Sequence, residues 1–204
     1  MTALGVTGGI GSGKSALVAR LAEHDGVRVV GADDLAKRLM AEDPAVRAAL
    51  VARFGPEAYD GAGRLDRAHL ASRVFGPGSG PGQAAGELAA LNAIVHPAVR
   101  RALLGALEAA RAEGVRLFVY EAALVFETGG DEVLDAVVVV DAPVETRVAR
   151  VQARDGATRE AVLARMRHQI DPAEARRRAN RVVVNDGDLD ALYAEADALA
   201  RRYL

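Results

Sequence analysis

A glycine-rich segment near the amino terminus contains the residues best suited to chemistry on phosphates. Residues 8–15, Gly-Gly-Ile-Gly-Ser-Gly-Lys-Ser, satisfy the pattern G-x-x-x-x-G-K-[ST]. Glycines permit positive φ angles and let phosphate oxygens approach backbone N–H groups, and a helix that opens at Gly13 points further N–H groups at them. Lys14 is expected to reach the β- and γ-phosphates of ATP, and the Ser15 hydroxyl to ligate Mg²⁺.

Two acidic residues at the ends of apolar runs are the candidates for handling an acceptor. Asp33 follows the run 27–30 and could orient an acceptor hydroxyl and take its proton, or it could cap the next helix, and Asp34 could exchange roles with it. Glu121 follows the apolar run 117–120 and is expected to act on Mg²⁺ indirectly, through the groups that ligate the ion, or to contact substrate, unless it is only a polar strand end. Asp141 has the same position after its own run, and there the structural role is favoured.

Three arginines recur at helical spacing before a hinge-like Asp155-Gly156 pair. Arg147, Arg150 and Arg154 share one helix face. The guanidinium group suits triphosphate recognition, although a solvated face is the default in a chain this rich in arginine. A lid that closes over the phosphates would exclude water.

The elements that must position these residues alternate between strand and helix, which predicts an α/β fold with a parallel sheet covered on both faces. The middle section, 44–113, is helical in pattern, and its segment Gly76–Gly86 is expected to be a flexible surface loop. Strands are predicted at 3–7, 27–30, 117–120, 136–140 and 182–184, and helices at 15–24, 33–40, 144–154, 159–169 and 189–204.

The bulk composition excludes several classes of function. The 204 residues suit one domain, and a formal net charge of −2 argues against nucleic-acid binding. The absence of cysteine excludes thiol catalysis and disulfides. No signal peptide or membrane span is expected, so the protein is predicted to be cytoplasmic.

A phosphate-binding loop alone does not separate kinases from GTPases, motor ATPases or passive binders. A GTPase should carry an Asn-Lys-x-Asp signature. The nearest segment, 185–188, lacks the lysine, and the only lysines in the chain are Lys14 and Lys37. The pair Asp60 and Gly63 has the spacing of a switch motif but follows no buried strand. The GTPase interpretation is therefore disfavoured.

The segment Val6–Ser15 resembles the opening of dephospho-coenzyme A kinases, and further features in the same order extend the resemblance over almost the whole chain. These are Ala32-Asp33 before Leu35-Ala36, Ala93-Ile94-Val95-His96-Pro97, the segment Glu121–Glu127, Arg150 and Arg154-Asp155 before Gln169, and Val182–Asn185 before Gly187.

This resemblance implies phosphorylation of the ribose 3′-hydroxyl of dephospho-coenzyme A by MgATP, on a three-layer P-loop kinase fold with a five-stranded parallel sheet. It implies a core of about 1–43, 115–150 and 180–204, a helical substrate sub-domain of about 44–114, and a lid of about 151–179. Asp33 and Lys14 become the catalytic residues, and Ser15 the metal ligand. ATP contacts are assigned to Gly9, Ile10, Gly11, Ser12, Gly13, Lys14, Ser15, Ala16, Arg150, Asn185 and Gly187, and substrate contacts to Asp33, His96, Glu121 and Arg154.

Several positions depart from the family pattern. Ala16 replaces a commoner Thr, Gly31 an Asp, Ala123 a proline, and Asn180 an Asp. None of them removes a phosphate ligand or the expected base. The His96-Pro97 pair could also mark the junction of two helices, because proline suits a new helix start. Two other functions stay open: a P-loop kinase with another small acceptor, and an ATP-binding regulator without catalysis.

Overall fold

The computed structural model describes residues 1–75, 81–167 and 169–204, with the side chains of Phe75 and of 81–84 left aside. Its central element is a five-stranded parallel sheet in the order β2-β3-β1-β4-β5. The strands are β1 Thr2–Thr7, β2 Val27–Gly31, β3 Leu117–Glu121, β4 Ala136–Asp141 and β5 Arg181–Val184. The parallel sheet confirms the α/β fold expected from the alternating pattern.

Nine α-helices lie in the described residues, with short 3₁₀ turns at Pro56–Ala58 and Gly130–Val133. They are α1 Lys14–Leu21, α2 Ala32–Glu42, α3 Pro44–Phe54, α4 Arg67–Phe75, α5 Pro81–Ala112, α6 Val144–Asp155, α7 Arg159–Met166, α8 Pro172–Arg178 and α9 Leu189–Tyr203. None of the helices in these ranges is both long enough and apolar enough to cross a membrane.

The sheet core is built from β-branched and leucine side chains. β1 is the central strand, and Val6 pairs in register with Glu121 on one side and Val138 on the other. All six residues of β4 are buried, which explains why that strand reads as a continuous apolar run. Leu17 and Leu21 of α1 pack into the same core. Each such leucine contributes roughly 1.5–3 kcal/mol by burial.

The chain divides into two compact units, and the catalytic candidates fall in both. The first unit, Met1–Gly31 with Leu104–Leu204, holds the whole sheet. The second unit, Ala32–Leu103, has its own core around Leu50 and Phe54 and, within the described residues, no strand beyond an isolated bridge between Tyr59 and Leu65. The assignment of 44–114 to the acceptor and of 151–179 to a lid stays a prediction.

Two local expectations are wrong. Residues 81–86, expected to continue a flexible loop, are the first residues of α5, and Pro81 suits that place because a first-turn N–H needs no partner; residues 76–80 lie outside the described residues. Pro97 does not separate two helices, because α5 continues through it. Its missing N–H removes the bond to Ala93, and both residues are exposed, so water can satisfy the Ala93 carbonyl.

Two further differences concern the segment after α6. The helix expected to reach residue 169 ends at Met166. The next helix, α8, was not expected, although Asp171 and Pro172 give a recognisable start: the Asp171 side chain accepts from Ala173 N and Glu174 N, and proline occupies the first turn.

Candidate active site

The loop between β1 and α1 has three positions whose backbone conformation strongly favours glycine. Gly8, Gly11 and Gly13 have φ angles of 147°, 78° and 98°, in the region that disfavours a Cβ atom. A Cβ on Gly8 would collide with the Val140 carbonyl, and one on Gly13 with the Asn185 side chain. The loop is therefore packed tightly on its protein side, and its shape is fixed by the surrounding elements.

Lys14 and Ser12 show how the loop holds its polar groups. The Lys14 Nζ donates to Gly8 O at 2.7 Å and to Gly9 O at 3.4 Å, which keeps the ammonium above the glycines. Ser12 is fully buried, and its Oγ is one of the buried side-chain atoms with no hydrogen-bond partner in the described part of the chain. The loop thus combines a cation, the N-terminus of α1 and an unsatisfied hydroxyl, a set that suits a phosphate ligand.

Ser15 is paired with the acid at the end of β3. Its Oγ donates to Glu121 Oε1 at 2.8 Å. β1 and β3 are parallel neighbours, so the loop that follows β1 and the last residue of β3 lie at the same edge of the sheet. Ser15 is exposed, and the two side chains present oxygen atoms, the donor type that Mg²⁺ prefers.

Asn185 connects three elements at the other flank of the loop. Its Nδ2 donates to Ser12 O at 2.8 Å, and its backbone N donates to Asp141 O at 2.7 Å. Arg150 NH2 donates to Asn185 Oδ1 at 3.5 Å, and Arg150 NH1 is buried without a partner among the described residues. Asn185 is only 5% exposed, so it fixes the position of the loop relative to β5 and α6.

A pocket of about 240 Å³ lies beside this asparagine. Its walls bring together five of the residues expected to bind ATP: Gly13, Ala16, Arg150, Asn185 and Gly187. Leu189 and Leu192 of α9 supply an apolar wall. An apolar pocket with a guanidinium and an amide suits a planar heteroaromatic ring.

A larger cavity of about 500 Å³ lies against Gly8 and Gly9. Gln169 lines it and accepts a hydrogen bond from Ile10 N at 2.9 Å through Oε1. The next residue, Ile170, donates its N–H to Glu127 Oε1 at 2.8 Å. The segment between α7 and α8 is thus attached both to the phosphate loop and to the segment that follows β3.

Asp141 is held by a structural ion pair. Arg176 of α8 donates to Asp141 Oδ2 through Nε at 2.8 Å, and Ala142 N donates to Oδ1 at 2.9 Å. Asp141 is 6% exposed. Its carboxylate therefore anchors α8 to the end of β4.

Arg154 is paired with its neighbour in the chain, Asp155. It donates to Asp155 through Nε at 2.7 Å and through NH2 at 3.0 Å, while Arg165 approaches the same carboxylate at 3.3 Å. Arg154, with Arg165 in support, keeps the pKa of Asp155 below its usual range. The expected contact of Arg154 with substrate stays a prediction.

Asp33 and His96 belong to the second unit. Asp33 lies in the first turn of α2, exposed, and its carboxylate has no hydrogen bond or ion pair to any residue in the described ranges. Asp34 pairs with Lys37 at 3.0 Å. His96 is half-buried in α5, and burial lowers the pKa of its imidazole.

The contacts that sequence reasoning missed join residues far apart in the chain. Gln169 was recognised only as part of a resemblance, and its bond to Ile10 spans 159 positions. The Ser15–Glu121 bond spans 106 positions. The strand-terminal position of Glu121 was the available signal for the second contact, because parallel strands end at one edge of a sheet.

Comparison with known proteins gives one consistent result. A model of the dephospho-CoA kinase family matches residues 2–191. The dephospho-CoA kinase of Salinibacter ruber is 50% identical over 192 residues, which cover 94% of this chain and 92% of the relative. That of Deinococcus radiodurans is 46% identical over 199 residues, covering 98% and 91%.

Solved structures agree with this comparison. The crystal structure of TT1252 from Thermus thermophilus matches with a TM-score of 0.78 and 40% identity, covering 100% of this chain and 98% of that chain. The dephospho-CoA kinase from Campylobacter jejuni has the same fold, with a TM-score of 0.66 at 23% identity and coverage of 99% and 97%. With the phosphate-binding loop and its parallel sheet in place, the chain belongs to the dephospho-CoA kinase family.

Proposed function

We propose that this protein transfers the γ-phosphoryl group of ATP to the ribose 3′-hydroxyl of dephospho-CoA, giving CoA and ADP as the last step of CoA biosynthesis in the cytoplasm. The observation that carries the proposal is the match of the dephospho-CoA kinase family to residues 2–191. The loop geometry supports it independently, because it provides the phosphate-binding half of such a reaction.

ATP is assigned to the loop and to the pocket beside Asn185. Backbone N–H groups of the loop and the Lys14 ammonium would hold the phosphates, and the 240 Å³ pocket that includes Arg150 and Gly187 would take the adenine. Asn185 contributes mainly by position, because its hydrogen bond to Ser12 O makes the loop and the adenine pocket one rigid structure.

The Ser15–Glu121 pair fits Mg²⁺, and these two residues would hold it. Groups of three or more His, Cys, Asp or Glu side chains suited to a metal do not occur among the described residues. Mg²⁺ keeps several water ligands and takes few from the protein, so a hydroxyl and one carboxylate are enough to place it. When bound, the ion would neutralise charge on the β- and γ-phosphate oxygens. Glu121 keeps the Ser15 hydroxyl oriented, and its own charge favours a cation nearby.

Asp33 is the proposed general base. As the 3′-oxygen forms its bond to the γ-phosphorus and the bond to the β–γ bridging oxygen breaks, the hydroxyl proton would pass to the Asp33 carboxylate. Its exposure and its lack of a partner within the described residues support this role, since a carboxylate committed to an ion pair is a weaker base. Its position inside the first turn of α2, rather than before it, weakens the alternative of a helix cap.

The segment 151–179 is the proposed lid. The bonds of Gln169 to Ile10 and of Ile170 to Glu127 support a closed arrangement over the large cavity. Arg154 would reach the phosphates only after leaving Asp155, and such an exchange is available because the side chain is 65% exposed. Exclusion of water from the loop would then favour transfer to the acceptor over hydrolysis.

The deciding experiment offers the protein several acceptors. The protein is incubated with MgATP and, separately, dephospho-CoA, AMP, a nucleoside or shikimate, and the products are weighed by mass spectrometry. A gain of one phosphate on dephospho-CoA alone is expected. A gain on another acceptor would assign a different small-molecule kinase, and tight ATP binding without acceptor-dependent ADP release would indicate a regulator.

A further inference from the structure

Arg147 is a buried arginine beside the phosphate loop that the proposed mechanism does not use. It is only 5% exposed. Its guanidinium lies so close to Gly9 that a Cβ on that glycine would collide with it, and a Cβ on Gly11 would collide with the Arg147 carbonyl oxygen. The turn of α6 that contains Arg147 therefore forms one wall of the loop.

The polar atoms of this guanidinium are poorly satisfied by the protein. NH2 donates to the Met166 sulfur at 3.1 Å, a weak acceptor. Nε is buried and has no hydrogen-bond partner among the residues that the structure describes. Burial lowers the pKa of Arg147 from its ordinary value, and the charge of Asp141 opposes that shift. Arginine nevertheless stays charged in proteins, so a cation is buried here with little compensation.

The two acids that line the same cavity as this cation are committed to other groups. Arg147 lines the cavity of about 500 Å³, and so do Asp141 and Asp171. Asp141 is bound by Arg176 and by Ala142 N. Asp171 caps α8 by accepting from Ala173 N and Glu174 N. Neither carboxylate makes an ion pair with Arg147 within the described residues, and a buried charge without a counter-ion is costly for a protein to keep.

The same cavity is bordered by Gly8 and Gly9 of the phosphate loop. An anion that enters it beside the loop would supply the missing counter-ion. We propose that Arg147 binds a phosphate group of a ligand in this cavity, adding a fixed guanidinium to the backbone N–H groups and Lys14. The phosphate belongs either to the γ-position of ATP or to the diphosphate of the acceptor. This proposal rests on the proposed function in one respect, the identification of the acceptor as dephospho-CoA.

The test compares Arg147→Met with Arg147→Lys and with a control. Methionine keeps the length and apolar packing of the side chain without its charge. Lysine keeps the charge but lacks the planar guanidinium with its paired N–H donors. Arg202→Met is the control, because Arg202 is an exposed arginine in the last turn of α9, outside both the cavity and the proposed lid. Calorimetry measures the affinity for MgATP, MgADP and dephospho-CoA, each alone.

Arg147→Met should weaken binding of one phosphate ligand by about 10- to 100-fold, the usual range for a charged hydrogen bond. Arg147→Lys should lose less, and the control should stay within about twofold of the wild type. A loss for MgATP but not MgADP places Arg147 on the γ-phosphate, and a loss for dephospho-CoA places it on the acceptor diphosphate. Unchanged affinity for all three ligands in folded Arg147→Met would overturn the proposal.

Thermal unfolding separates ligand binding from a structural role. Removal of an uncompensated buried charge should leave the melting temperature of Arg147→Met unchanged or higher. A lower melting temperature with unchanged affinities contradicts the proposal, and if Arg147→Met does not fold, the affinities of Arg147→Lys decide. Should the wild type bind these ligands but fail to phosphorylate dephospho-CoA, the proposed function is wrong while the Arg147 comparison still gives an answer.

Discussion

The Ser15 hydroxyl donates to Glu121 Oε1 at 2.8 Å, which joins the phosphate loop to the end of the neighbouring strand. Glu121→Gln keeps an oxygen acceptor for that hydroxyl but removes the negative charge. We expect a loss of about 10- to 100-fold in Mg²⁺ affinity or turnover, the range seen when a group that orients a metal ligand is changed. Glu113→Gln is the control, since Glu113 is an exposed acid paired with Arg28. Equal Mg²⁺ titrations for both variants would contradict this role.

The two lysines of the chain form a natural pair of variants. Lys14→Met should lose at least about 3 kcal/mol of transition-state stabilisation, which lowers kcat/KM by more than about 100-fold, by analogy with the loss of other charge-stabilising donors. Lys37→Met should have little effect, because Lys37 is exposed and pairs only with Asp34 within the described residues. Steady-state kinetics with dephospho-CoA measures both. Unchanged turnover of Lys14→Met would remove Lys14 from the mechanism.

Variants of the adjacent residues Asp33 and Asp34 distinguish a general base from an acid with only a structural role. Asp33→Asn should keep ATP affinity and lose about 10²- to 10⁴-fold in turnover, the usual contribution of a general base. Asp34→Asn should lose only its contact with Lys37, an exposed pair of small value. A calorimetric ATP titration and a rate measurement decide between them. If Asp33→Asn lowers only the melting temperature, Asp33 acts on the helix end and not on the hydroxyl.

Alanine at two glycines should have opposite effects on stability. Gly13→Ala introduces a Cβ at a φ of 98° and against Asn185 Nδ2, so it should lower the free energy of unfolding by more than about 1 kcal/mol. Gly105→Ala should raise it by about 0.5–1 kcal/mol, because Gly105 lies inside α5 with open space around it. Urea unfolding measures both changes. A stabilised Gly13→Ala would show that the loop does not need its left-handed backbone.

Asp197 makes stability depend on acid pH. The hydrogen bond from Arg20, and after it that from His24, lowers the pKa of Asp197 to about 2 from its ordinary 3.8. Because the folded pKa is the lower one, the stabilisation is present above the unfolded value and is lost as the pH falls from about 4 to about 2. The melting temperatures of the wild type and Asp197→Asn should therefore differ at neutral pH and converge by about pH 2. A constant difference over that range would exclude this linkage.

The parts of the structure that follow from the sequence are those with local causes. The phosphate loop could be placed because its glycines, Lys14 and Ser15 are consecutive, and β4 because its run of valines has no other stable place than a buried strand. Helix ends and pairings depend on distant residues. Pro97 remains inside α5 because its side of the helix is exposed, and no pattern in the chain shows that Gln169 bonds to Ile10.

The central position of β1 has a consequence for the order in which the strands of the sheet unfold. β2 and β5 are edge strands, whereas β1 is hydrogen-bonded on both sides. Local opening of either edge leaves β1 covered, so its amides should exchange with solvent only through global unfolding. The phosphate loop is attached to that strand, so nucleotide binding should survive opening of the β2 edge, whereas opening of the β5 edge would displace Asn185 and with it the proposed adenine pocket.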